Sequence, residues 1–210
     1  MRTTSYAIAA VAVICTTVFT VLSLTRIDWV VANYRSDPVN SSYQVKYGLT
    51  KVCERLVIGR KFEAFDCRKF PTRDEDSCDD KNRFFCAAWS SAGYAVELAI
   101  GFGALSLAAI IFGVSTHSRR RRIWRAVAGL VVLHSAFQLA AFALVLDMHR
   151  ASRFPITFDN AKLGPAFAFN TVAWVFGVIT AIGVIATGMA ADRGQRWAAG
   201  SRAYQPILGN

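Results

Sequence analysis

Residues 94–114 run YAVELAIGFGALSLAAIIFGV. This run of 21 positions contains a single charged residue, Glu97. At about 1.5 Å of helical rise per residue it matches the roughly 30 Å hydrocarbon core of a bilayer. Three more stretches, 6–24, 124–146 and 163–190, have the same character. The rest of the composition agrees: of 210 residues, 54% are hydrophobic and 18% charged, with a mean hydropathy of +0.33. That is too apolar for an ordinary soluble domain and excludes disordered and collagen-like chains. The expected fold is therefore a bundle of four transmembrane helices. Its connecting segments are 1–5, 25–93, 115–123, 147–162 and 191–210. The first apolar stretch lies where a secretory leader would lie. However, Met1-Arg2 is a thin basic start, the run exceeds the usual apolar length of a leader, and no A-x-A site follows, so it is read as an uncleaved span.

Lysine and arginine in short loops resist translocation, so their distribution predicts orientation. Segment 115–123 holds Arg119, Arg120, Arg121 and Arg122, with Arg125 just inside the third span, and no acid. The tail adds Arg193, Arg196 and Arg202 against Asp192. Both termini and 115–123 are expected to be cytoplasmic, with 25–93 and 147–162 outside, as in a multi-pass protein of the plasma membrane. The overall charge of +10 then becomes a topological signal with anionic-lipid contact, and no nucleic-acid partner is inferred.

Cysteine usage fits this orientation. Cys53, Cys67, Cys78 and Cys86 all fall in 25–93, whereas Cys15 lies alone in a span. Four cysteines on an oxidising side read as two disulfides. Three pairings are possible, and the cost of loop closure favours Cys53 with Cys67 and Cys78 with Cys86. Residues 54–65 read as two short strands around Gly59-Arg60-Lys61, which would make Cys53 and Cys67 cross-strand neighbours. Asn40-Ser41-Ser42 is a glycosylation sequon on the same side. The acidic run 74–80 lacks the glycine and the final glutamate of an EF-hand loop and reads as a solvated turn. No metal-ligand spacing appears.

Polar side chains inside a span are costly unless partnered. Glu97, Gln138 and Asn170 fall in the outer halves of their spans, and His134 is one helical turn from Gln138, so interhelical hydrogen bonding among them is expected. Gly101, Gly103, Gly177, Ala181 and Gly183 offer small surfaces for close helix contact. The three histidines are scattered, and neither a nucleophile elbow nor a phosphate-binding glycine loop appears. No catalytic residue, cofactor site or metal site is expected. In the tail, Tyr204-Gln205-Pro206-Ile207 fits a tyrosine-based sorting pattern.

Trp29 soon after the first span, Tyr47-Gly48-Leu49, and then Cys53 and Cys67 make a set of motifs in the first outer loop. The chain resembles the claudin and peripheral-myelin-protein superfamily, with its W, GLW, C, C signature. That superfamily also includes the epithelial membrane proteins and the gamma subunits of voltage-gated calcium channels. Two features depart from the pattern: Thr50 stands where the family has a second tryptophan, and Cys78 and Cys86 are additional. The resemblance implies a left-handed four-helix bundle carrying an extracellular antiparallel sheet. In it, Cys53 and Cys67 bridge two strands, and Trp29 with Gly48-Leu49 anchors the sheet at the membrane surface. It further implies a structural organiser or adhesion component of the plasma membrane, whose partners are lipids and other membrane proteins or copies of itself. The alternative is an accessory subunit of a channel or transporter. Tetraspanins are disfavoured, because their large cysteine-rich loop lies between spans three and four.

Overall fold

A computed structural model describes residues 3–36, 41–58, 61–62, 66–79, 82–114, 117–150 and 161–199. Four helices are long and apolar enough to cross a membrane: α1 (Thr3–Thr25), α2 (Arg83–Val114), α3 (His117–Arg150) and α4 (Pro165–Asp192). Two of them outrun their apolar stretches. α2 starts eleven residues before position 94, and α3 begins at His117, so that most of the expected connection 115–123 is helical, and continues to Arg150. The extra turns of α2 carry Phe85, Cys86 and Trp89, which are buried in the cluster at the sheet end. The start of α4 follows from local chemistry: Gly164 is extended and Pro165 takes the first turn, where its missing N–H costs nothing. The helix ends in a Schellman motif, with Gly194 at φ 74° and Gln195 N–H donating to the Ala190 carbonyl. A short helix α5 (Arg196–Ala199) follows.

Between α1 and α2 lie β1 (Val30–Ser36), β2 (Ser41–Tyr47), β3 (Lys51–Ile58), β4 (Lys61–Phe62) and β5 (Asp66–Lys69). The connection between α3 and α4 supplies β6 (Ala161–Leu163). All pairs are antiparallel, in the order β4-β3-β2-β1-β6, with β5 sharing the outer edge of β3. The expected hairpin is present as β3 and β4, and β5 sets Cys53 directly opposite Cys67. The alternation of β2 turns Val45 and Tyr47 toward the bundle and Gln44 and Lys46 away from it.

The interior has two apolar clusters. One, at the sheet end, gathers Trp29, Leu49, Val52, Phe70, Phe85, Trp89 and Phe167. The other, at the opposite end, gathers Tyr6, Val13, Trp124, Val127 and Val184. Between them the buried side chains turn polar: Thr16, Thr20, Ser106, His134, Ser135, Gln138 and Asn170.

Candidate functional site

Trp29 ties three elements together. Its backbone N–H donates to the Tyr47 carbonyl (3.0 Å), ending β2, and its carbonyl accepts from Gly164 N–H (2.8 Å), at the head of α4. Its indole N–H donates to the Ser23 carbonyl on α1 (2.7 Å), and its ring meets Phe167 edge-on. Burying so large a side chain completely is favourable only when its N–H is satisfied, as it is here. Gly48 explains itself by closeness: a Cβ there would lie 2.9 Å from Ile27 Cα and 3.1 Å from the Lys51 carbonyl oxygen. Only glycine lets the β2–β3 turn sit against the end of α1. The Gly48 carbonyl accepts from the Trp89 indole (3.1 Å), and Leu49 is buried beside Gly93. Tyr47, Phe70, Phe85 and Trp89 continue this seam as edge-on and stacked rings. Burial pushes the Tyr47 phenol up to about 12, so it stays neutral at physiological pH. Trp89 and Phe85 were not singled out in the sequence, because an aromatic in FFCAAWSSAG has no spacing that marks it as a sheet contact.

The disulfides join Cys53 to Cys67 and Cys78 to Cys86. The second bond staples the acidic turn to the first turn of α2. Within that turn, Asp76 is an ion-pair partner. Arg68 donates to both its oxygens (2.9 and 2.7 Å), Thr72 N–H adds a third bond (2.7 Å), and its backbone carbonyl accepts from Asn82. Burial alone would raise this carboxyl. The Arg68 and Thr72 bonds outweigh it and hold Asp76 below the ordinary carboxylate range. Asp28 is held low in the same direction, chiefly by its bond to Arg26. Among the described residues, no group of three or more His, Cys, Asp or Glu side chains is placed to hold a metal ion.

In the polar layer, the other three long helices converge on α3. His134 Nδ1–H donates to the Ala99 carbonyl on α2 (2.7 Å), which leaves Nε2 as an acceptor for the Gln138 amide (2.7 Å). The same amide nitrogen donates to Thr20 on α1 (2.8 Å), and Asn170 on α4 donates to the Gln138 backbone carbonyl (3.1 Å). Close packing makes room for this layer. A Cβ on Gly103 would strike the Thr17 hydroxyl, and one on Gly177 would strike the Ser135 hydroxyl.

The expected cluster therefore forms around His134, Gln138 and Asn170, with Thr20 as a member the sequence reading missed. Glu97 does not join it. It lies on the exposed face of α2, because its helical phase differs from that of Ala99, which faces α3. Gly101 and Gly183 also face outward, with open space where a side chain would be, whereas Ala181 is buried. The sequon residue Asn40 and the sorting pair Tyr204 and Ile207 lie outside the described residues. No protein-family model matches this chain, and no curated protein matches it.

Proposed function

We propose that the protein is a claudin-like four-span protein of the plasma membrane. In this reading both termini are cytoplasmic, and its extracellular sheet makes lateral or cell-to-cell contacts that organise a membrane domain, junction or surface complex. The observation that carries this reading is the way the sheet is held. Trp29, Gly48, Leu49 and Trp89 weld it to the bundle, and the Cys53–Cys67 bond closes its edge. A sheet fixed this firmly is a preorganised surface, which lowers the ordering cost of binding. Lys51, Lys69 and Lys162 are exposed on it and reachable by amine crosslinkers. Crosslinking of the full chain in cells, followed by peptide mass spectrometry, should find sheet-to-sheet links between two copies. The absence of such links, with a single other membrane protein captured in fixed ratio, would favour an accessory subunit of a channel or transporter. The outward carboxylate of Glu97 favours that second reading.

A further inference from the structure

Glu97 shares one face of α2 with Tyr94, Gly101 and Leu105, at spacings of three, four and eight residues, and Leu98 flanks that face, three residues from Gly101 and seven from Leu105. That face is turned away from the bundle: Tyr94 is 65% exposed, Leu98 50% and Leu105 56%. The hydrogen bonds measure its depth. Trp89 touches Gly48, which abuts Ile27 at the end of α1, and Glu97 lies eight residues further along α2, about 12 Å at helical rise. From the other side, Ala99 is bonded to His134, whose neighbour Gln138 reaches Thr20, well inside α1. The carboxylate thus belongs to the apolar part of the bundle. Among the described residues, none forms an ion pair or hydrogen bond with the Glu97 side chain, although its backbone is bonded within α2. Gly101, one turn on, has nothing within 4 Å of where a Cβ would stand.

A carboxylate facing hydrocarbon is costly unless a cation or donor meets it. An open glycine beside it lets another backbone approach closely. We propose that the Tyr94–Leu105 face of α2 docks a membrane-spanning helix of a different protein, one that carries a lysine or arginine at the depth of Glu97 and crosses over Gly101. A second copy of this chain does not fit that requirement. Stretches 6–24, 94–114 and 163–190 contain no Lys or Arg, and 124–146 has only Arg125, at the end far from Glu97. The proposal rests on the membrane placement given above and identifies the kind of partner an accessory subunit would have.

The test uses the full chain in phosphatidylcholine vesicles with a fluorescent polyleucine transmembrane peptide. One version carries a single lysine about two turns below the end that lies beside the sheet, a depth set by helical rise, and the other carries leucine there. Energy transfer should report at least about fivefold tighter association of the lysine peptide, the scale of a polar contact between helices in lipid. Glu97→Gln should remove that preference, and Glu97→Lys should transfer it to a glutamate peptide. Gly101→Leu should weaken binding of the lysine peptide. Equal binding of the lysine and leucine peptides, or a preference that survives Glu97→Gln, overturns the proposal. So does Glu97-dependent pairing of two copies of this chain. A chain that protease digests completely in intact vesicles would overturn the membrane reading, and this one with it. An inserted chain blind to the lysine overturns only this one.

Discussion

Gly48, Gln138 and Asp76 each hold a place that one atom decides. At Gly48 the atoms that a methyl group would strike belong to backbone, at Ile27 and Lys51, and cannot swing aside. Gly48→Ala should therefore cost about 1–3 kcal/mol, the usual penalty of overpacking. Thermal unfolding in detergent measures this, with Gly101→Ala, where space is open, as the variant expected to lose nothing. Gln138→Leu removes the donor to both Thr20 and His134 and leaves a buried imidazole nitrogen without a partner. The expected loss is about 1 kcal/mol, the scale of hydrogen bonds between helices in lipid. Equal melting of mutant and parent would contradict the role given to the polar layer. Asp76 and Asp28 have folded-state carboxyls held below their ordinary value. Their stabilisation is therefore present above about pH 4, where the unfolded carboxyls ionise, and is lost as pH falls through the lower folded-state values. Melting followed from neutral pH to about pH 3 should show this acid limb. Asp76→Asn should flatten it while lowering stability at pH 7, and an unchanged limb would remove Asp76 from the account.

The four long helices were legible as elements because twenty apolar residues in a row have few other uses, whereas the sheet was legible only in part. β3 and β4 announce themselves by a glycine-containing turn between short apolar runs. In contrast, β6 is three residues, Ala161–Leu163, with no pattern of its own, and is a strand only because β1 offers it partners. The early start of α2 was hidden for a related reason. Residues 83–93 bury only one face, with Phe85 and Trp89 in the cluster at the sheet end, so no unbroken apolar run marks them. In the same way, the polar residues within the apolar stretches could be read from sequence. Which of them meet depends on helical phase and tilt, and that separated Glu97 from Gln138. The disulfide between β3 and β5 can be tested at this scale. It joins cysteines 14 positions apart, and closing a loop of this size is worth roughly 3 kcal/mol in the chain-entropy account. Cys53→Ser also frees Cys67 to pair wrongly with Cys78 or Cys86. It should reduce surface delivery and melting temperature far more than Cys15→Ser, whose thiol is unbonded on the exposed face of α1. Non-reducing peptide mapping that joined Cys53 to Cys78 or Cys86 would break the strand pairing and the claudin-like reading together.

For the whole molecule, the expected orientation rests on two features that point the same way, the distribution of basic residues and the placement of the disulfides. Nine basic residues and one acidic residue belong to the N-terminus, the first turns of α3 with Arg119–Arg122 and Arg125, and the tail. The segment that builds most of the sheet carries twelve basic and ten acidic residues. Short-loop cations stay on the cytoplasmic side, so the arginine-rich end is expected inside. Both disulfides are at the sheet end, which is what an oxidising exterior on that side would predict. At the opposite end, Arg125 reaches Asp192 across α3 and α4 at 3.4 Å. Such a pair near an interface adds little stability, so the arginines there are better explained by topology than by folding. Tags at either terminus should then be accessible only after the plasma membrane is permeabilised. Lys51 and Lys69, exposed on the sheet, should react with a membrane-impermeant amine reagent on intact cells. An N-terminal tag found in the lumen while 115–123 stays cytoplasmic would mean that α1 does not remain as a span. The sheet would then be tethered to three helices, and the bond from Gln138 to Thr20 would have no counterpart in the mature protein.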